Sequence, residues 1–305
     1  DNDSDPMPDS FSTEWHGTAV ASAAVARGIS ELVGVSYHVK YYALRALDES
    51  GSGLLTDEIA AIEWASTEPH KADIISMSTG VYESDITFYL KNQLRNACNN
   101  ALNDGILLVG GSGNDGYSYS MFPAGIESVI SVGAHSSSQS LWSSSNGGVD
   151  VVSPGVSIKM LWPSGNAYTS TGTSFPVPHV SGLLALQMHF ERNNGYQFNN
   201  IFHWQVMEHA AIDLSVDPLY QGKGKVYAAA TDINDYFGSL GLIENHWPID
   251  FDFEFSNTAF TDGNLAVYHI GDTVNQTITL TNVTDILGNG TEVIEDIYVT
   301  ATQIN

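Results

Sequence analysis

Along the first 240 or so residues, short runs that are almost entirely apolar alternate with longer stretches of helical periodicity. Val39 to Leu47 reads as a strand, and Leu55 to Ser66 as a helix with Thr56 as its N-cap. Asp73 to Ser78 is a short apolar strand that ends in small residues. Ile86 to Leu102 reads as an amphipathic helix closed by Asn103-Asp104-Gly105, and Ile106 to Val109 follows at once as a buried strand. Ser128 to Val132 is the next strand. Strands apolar on both faces and separated by helices predict an α/β fold, a parallel sheet covered by helices on both sides. In such sheets ligands sit at the carboxyl ends of the strands.

After about residue 235 the pattern changes. Asn275 to Thr281 and Ile297 to Thr302 alternate with period two and are rich in β-branched residues, and Gly288-Asn289-Gly290 supplies a turn between them. The division expected is an α/β domain over residues 1–240 and a partial β-sandwich-like extension over 241–305. No internal repeat is found, and the serine clusters at 136–138 and 143–145 are too short to be linkers.

Composition narrows the function. Ten Lys and Arg against 35 Asp and Glu give a formal charge of −25, a surface that repels phosphate backbones and excludes nucleic acid as a partner. No apolar run approaches the roughly 20 residues needed to span a bilayer. Cys98 is alone, so no intrachain disulfide forms, and its place in a helical pattern reads as a buried small apolar residue. The chain opens on Asp1-Asn2-Asp3-Ser4-Asp5, with no signal peptide, as a processed or cut product would.

Three segments carry candidate chemistry. In His16-Gly17-Thr18-Ala19-Val20-Ala21-Ser22-Ala23-Ala24 a histidine opens an alanine-rich helix able to pack closely on a sheet. A neutral imidazole takes up a proton near pH 7, as a hydroxyl nucleophile requires. In Gly172-Thr173-Ser174-Phe175-Pro176-Val177-Pro178-His179-Val180-Ser181-Gly182 a serine falls at the first turn of a helix running to about Phe190. The free N–H groups and dipole of that turn stabilise negative charge beside the serine oxygen. In Gly110-Gly111-Ser112-Gly113-Asn114-Asp115-Gly116 a buried strand gives way to small residues and an Asn whose amide can donate into the cleft. Singly, each has a structural reading: a packing histidine, an N-cap serine, an Asn kept for turn geometry.

Jointly, in this order along a parallel α/β pattern, the three resemble the subtilisin-like serine proteases, the subtilases. The family's His-Gly-Thr-x-Val-Ala falls on His16 to Ala21, its Gly-Thr-Ser-x-x-x-Pro-His-Val-x-Gly on Gly172 to Gly182, and its oxyanion Asn on Asn114. The likeness covers about residues 1 to 230. It implies a serine endopeptidase in which Ser174 is the nucleophile, His16 the general base and Asn114 an oxyanion donor, working through an acyl-enzyme without a catalytic cofactor. It further implies polypeptide substrates, an inhibitory propeptide in the parent, and an extracellular or cell-surface location. Substrate is expected to lie extended between Ser78-Thr79-Gly80 and Gly111-Ser112-Gly113, with a roomy primary pocket for bulky apolar side chains; Glu83 and Asp85 nearby would favour a basic one.

The sequence departs from the family in two places. The triad runs Asp, His, Ser, and the fifteen residues before His16 offer no strand for the Asp, so none of Asp1, Asp3, Asp5 and Asp9 is assigned to it and the segment alone is expected to be weakly active. Phe175 and Pro176 replace the small residues usual after the nucleophile. The loop Asp1 to Pro6 resembles a structural calcium loop of the kexin-like branch, with a solvated acidic loop as its plain alternative. Asn275, Asn282 and Asn289 stand in glycosylation triplets. Two other functions fit the same sequence: a pseudoprotease that keeps the fold as a binding module, or a cell-surface binding module built on the β-rich tail.

Overall fold

In the computed structural model, which describes residues 15–30, 32–48, 50–193 and 200–227, the apolar runs pair side by side. In chain order the helices are α1 (His16–Val25), α2 (Leu55–Ala65), α3 (Phe88–Asn103), α4 (Pro176–Asn193), α5 (Asn200–His209) and α6 (Pro218–Gln221). The strands are β1 (Arg27–Ile29), β2 (Leu32–Val33), β3 (Ile74–Met77), β4 (Leu107–Gly111), β5 (Val129–His135), β6 (Val151–Pro154), β7 (Ile158–Leu161) and β8 (Ala167–Ser170). β3, β4, β5 and β6 form a parallel sheet in sequence order, with Met77 opposite Gly110, Gly111 opposite Val132 and Val132 opposite Val151. Two antiparallel hairpins, β1–β2 and β7–β8, stand outside it.

Strand periodicity divides the core between the two faces. From β4, Leu108 points to the side covered by α2 and α3, where it joins Ile62, Leu94, Cys98 and Ile106. Its neighbours Leu107 and Val109 point the other way, to Val180, Leu184 and Met207 of α4 and α5. All five residues of β4 are buried, so the expected α/β sandwich is what the chain builds. Cys98 is fully buried, and its thiol is pushed up to about 12 by burial and by the charge of Glu58, the inert character read from its context.

Two local expectations are corrected. Val39–Leu47 forms no strand: Tyr41 and Tyr42 are 59% and 58% exposed, no strand among the described residues supplies ladder bonds, and an apolar segment without a partner does not hold a strand. Thr56 lies inside α2, whose N-cap is Leu54 with no side-chain cap bond. Helix α3 begins two residues later than expected, because Thr87 caps it by accepting from the Leu90 N–H. The β-rich stretches beyond 240, and the domain boundary there, fall outside the described residues.

One carboxylate replaces a rung of the ladder. Asp150, just before β6, donates its N–H to Ser131 O at 2.9 Å and accepts the Ser131 N–H on its own Oδ2 at 2.7 Å. Burial outweighs that bond and pushes the carboxyl up to about 6, from an ordinary 3.8. The folded state therefore binds the proton more tightly than the unfolded one, and stability falls as pH rises from about 4 to about 6. Asp150→Asn keeps the acceptor without the charge. Its advantage in unfolding free energy over the parent should be about 1–2 kcal/mol larger at pH 7.5 than at pH 4, as read by urea denaturation.

Candidate active site

The turn from Gly172 to Phe175 joins β8 to α4 and carries Ser174, half-buried, beyond the carboxyl end of the sheet. Pro176 has no N–H to give and its φ suits a helix start, so α4 begins there and Ser174 stands two residues before the helix instead of within its first turn. Reciprocal bonds fix this turn: the Ser78 hydroxyl donates to Ser174 O at 2.7 Å, and the Ser174 hydroxyl donates to Ser78 O at 3.4 Å. The second is long, so the Ser174 hydroxyl is only loosely held.

His16 is the first residue of α1, which packs on α4 and β7. Its ring centroid is 6.4 Å from that of Phe175, the residue after Ser174, and 5.8 Å from Trp15. Phe175 is accommodated by the small face of α1: it is 3% exposed, in a cluster with Ala19, Ala23 and Met160. The departure from small residues after Ser174 is thus matched by alanines opposite, and Phe175 holds α1 against the Ser174 turn. Burial lowers the His16 pKa below 6.5, which keeps the ring neutral. Among the described residues none hydrogen-bonds the His16 ring.

Asn114 follows β4 and reaches the same turn. Its Oδ1 accepts from the Thr173 N–H at 2.8 Å and from the Thr173 hydroxyl at 3.0 Å. With the carbonyl side locked, Nδ2 is the donor left over, beside Gly172. Gly111 is needed here for close approach: a Cβ would lie 3.0 Å from Thr173 O. Thr173 was not singled out by the sequence reading, although it stands inside the serine motif.

The two segments expected to flank substrate differ in kind. Past the end of β3, the backbone groups of Thr79 and Gly80 bond no described residue, while the Thr79 hydroxyl donates to Glu58 at 2.5 Å. On the other side Ser112 donates its N–H to Val132 and its carbonyl accepts from both Met121 N–H and Asn146 Nδ2. Gly113 donates to the Thr173 hydroxyl and accepts from the Asn146 N–H. The backbone N–H and carbonyl groups of Ser112 and Gly113 are thus all engaged within the fold, in contrast to those of Thr79 and Gly80. The fully buried Asn146 also fixes the turn that follows, its Oδ1 accepting from the N–H groups of Asp115 and Tyr117. Glu83 is ion-paired with Lys91, so its charge is offset locally. No group of three or more His, Cys, Asp or Glu among the described residues is arranged to hold a metal, and the loop Asp1 to Pro6 lies outside them.

Comparison with known proteins bears on the whole arrangement. The profile described as the subtilase family matches residues 1–232. A thermophilic serine proteinase of Bacillus sp. (strain AK1) is 41% identical over 199 residues, 64% of this chain and 46% of that protein. Halolysin of Haloferax mediterranei is 34% identical over 233 residues, 75% of this chain and 42% of that one. Subtilisin DY of Bacillus licheniformis is 37% identical over 188 residues, 58% and 65%. The match thus spans less than two thirds of the length of each of these relatives. Among solved structures, a mutant of the protease domain of PatA superposes with TM-score 0.63 at 23% identity, over 71% of this chain and 78% of that one. The prenylagaramide maturation protease PagA gives 0.62 at 25%, over 73% and 82%.

An NMR titration of the His16 ring should show a midpoint below 6.5. Phe175→Ala, which admits water beside the ring, should move that midpoint back toward 6.5.

Proposed function

The chain belongs to the subtilase family, and on that premise we propose that it is a serine endopeptidase whose nucleophile is Ser174, general base His16 and oxyanion donor Asn114. The observation that carries the reading is the lock of Asn114 Oδ1 on Thr173, which leaves the Asn114 amide N–H groups beside the Ser174 turn. Ser174 Oγ attacks the scissile carbonyl as neutral His16 takes its proton. Asn114 Nδ2 and the Ser174 backbone N–H receive the developing oxyanion, with the start of α4 adding its dipole. His16 then protonates the departing amine, and water drawn through the same imidazole hydrolyses the acyl-enzyme.

The substrate is a polypeptide, laid extended along Ser78-Thr79-Gly80, where the backbone of Thr79 and Gly80 bonds no described residue. This chemistry uses no cofactor; any calcium would be structural. An inhibitory propeptide in the parent and an extracellular or cell-surface setting belong to the same reading; no described helix is long and apolar enough to cross a membrane. No described carboxylate fixes the His16 tautomer, and the 305-residue chain is read as a weak catalyst for that reason. In chymotrypsin the change that breaks tautomer control costs about 10⁴-fold.

A fluorophosphonate probe tests the assignment. It should label the folded chain, faster in a form extended at the N-terminus, and Ser174→Ala should abolish the label. A folded, extended form that takes none would replace the enzyme with a binding module of the same fold. Thr173→Val removes the hydroxyl that steadies Asn114 and should lower kcat about tenfold with KM little changed. Asn114→Ala should lower it by the ~100- to 1000-fold measured for the corresponding donor of subtilisin.

A further inference from the structure

Helix α1 begins without a side-chain cap. Its N-cap is Trp15, which has no oxygen to offer the free N–H groups, so the first turn, where His16 stands, closes on the backbone bond from Ala19 N–H to Trp15 O at 2.9 Å. With no described residue hydrogen-bonded to it, the His16 ring takes its orientation from what it packs against. Those surfaces are two aromatic rings: the Trp15 indole, edge-on at 71°, and the Phe175 ring, tilted at 47°. Phe175 is locked in the core. Trp15 is locked by the β7–β8 hairpin, where the Trp162 indole lies flat on it, centroids 4.9 Å apart and planes 6° from parallel, and Tyr168 packs against Trp162 at 4.6 Å.

The hairpin is itself tied to α1. The buried Ser22 hydroxyl donates to Ala19 O at 2.7 Å and accepts the Leu161 N–H at 2.9 Å, which fixes the residue before Trp162 against the helix. Trp162 then closes the hairpin turn, its N–H donating to Asn166 O at 2.9 Å and its carbonyl accepting from Gly165 at 2.8 Å. A buried indole N–H usually finds a partner. The Nε1 of Trp162 is buried and bonds no described group, so stacking on Trp15, and not a hydrogen bond, decides where this ring lies.

We propose that Trp162 is a positioning residue for catalysis: stacked on Trp15, it fixes the indole against which the His16 imidazole lies, and so holds the general base at one orientation by packing. The inference rests on the reading of His16 as that base. A base acts only when aligned and within hydrogen-bond reach of the proton it takes, and small misplacements are costly. The flat ring is what matters, since an aliphatic side chain in its place fills space without fixing the plane of its neighbour.

The measurement is fluorophosphonate labelling over a range of probe concentrations, for the unchanged chain, Trp162→Phe and Trp162→Leu, each shown folded by far-UV circular dichroism. Trp162→Leu should lower the maximal labelling rate about tenfold and leave the half-saturating probe concentration within about twofold; Trp162→Phe should keep the rate within about threefold. Trp162→Met, also without a ring, takes the place of Trp162→Leu should that variant not fold. The His16 ring is followed in parallel by NMR: its Cε1–H resonance, displaced by the ring current of Trp15, should move in Trp162→Leu and stay close to its place in Trp162→Phe. Equal losses in the two variants, a loss confined to the half-saturating concentration, or a His16 resonance that Trp162→Leu leaves in place each overturn the proposal. A resonance that moves while labelling does not sinks His16 as general base, and Trp162 then orients a histidine outside the chemistry. A chain that takes no label at all counts against Ser174, and the NMR comparison alone then decides whether Trp162 orients His16.

Discussion

Burial of β4 on both faces is the constraint from which the site follows. A strand with helices above and below is apolar throughout and cannot carry chemistry along its length, so polar function is confined to its end. There Gly111 lets the Thr173–Ser174 turn approach to contact distance, and Asn114 follows three residues on. The Ser174 turn is then held by its neighbours: Ser78 at its carbonyl, Asn114 at Thr173, Phe175 in the alanine face of α1. Geometry is set mostly by backbone and short side chains, whose loss of freedom on folding is small.

The parallel sheet and the catalytic candidates were legible because their signals are local. Leu107, Leu108 and Val109 declare a strand buried on both faces without reference to anything else. The His16 and Ser174 segments carry their spacing within a few residues. What stayed hidden depends on residues far apart in sequence. Nothing around Asn146 announces that it ties together the turn after β4; it does so only when residues 82, 112, 115 and 117 meet it. The Val39–Leu47 segment failed in the opposite sense. Its apolar residues describe an exposed, tyrosine-rich path as well as they describe a strand, and only a partner could tell the two apart.

Charge shows the same contrast of scale. The excess of acidic residues speaks to partners and solubility, yet the groups near the site are governed by immediate neighbours. Lys91 offsets Glu83, Thr79 binds Glu58, and burial alone lowers His16. A formal charge of −25 therefore says little about the groups around Ser174.

The parallel order of β3 to β6 also bears on time. Every pairing in that sheet joins strands separated by a long crossover, and the contacts around Ser174 are longer still, with Ser78 and Ser174 96 residues apart and Asn114 and Thr173 59. Loops of that length close only after most of the chain has collapsed, and non-local pairing is slow. The cleft is thus assembled late, as a product of the finished fold and not of any fragment of it. In a nascent chain of this topology Ser78 and Asn114 wait without their partners until the Ser174 turn has joined them.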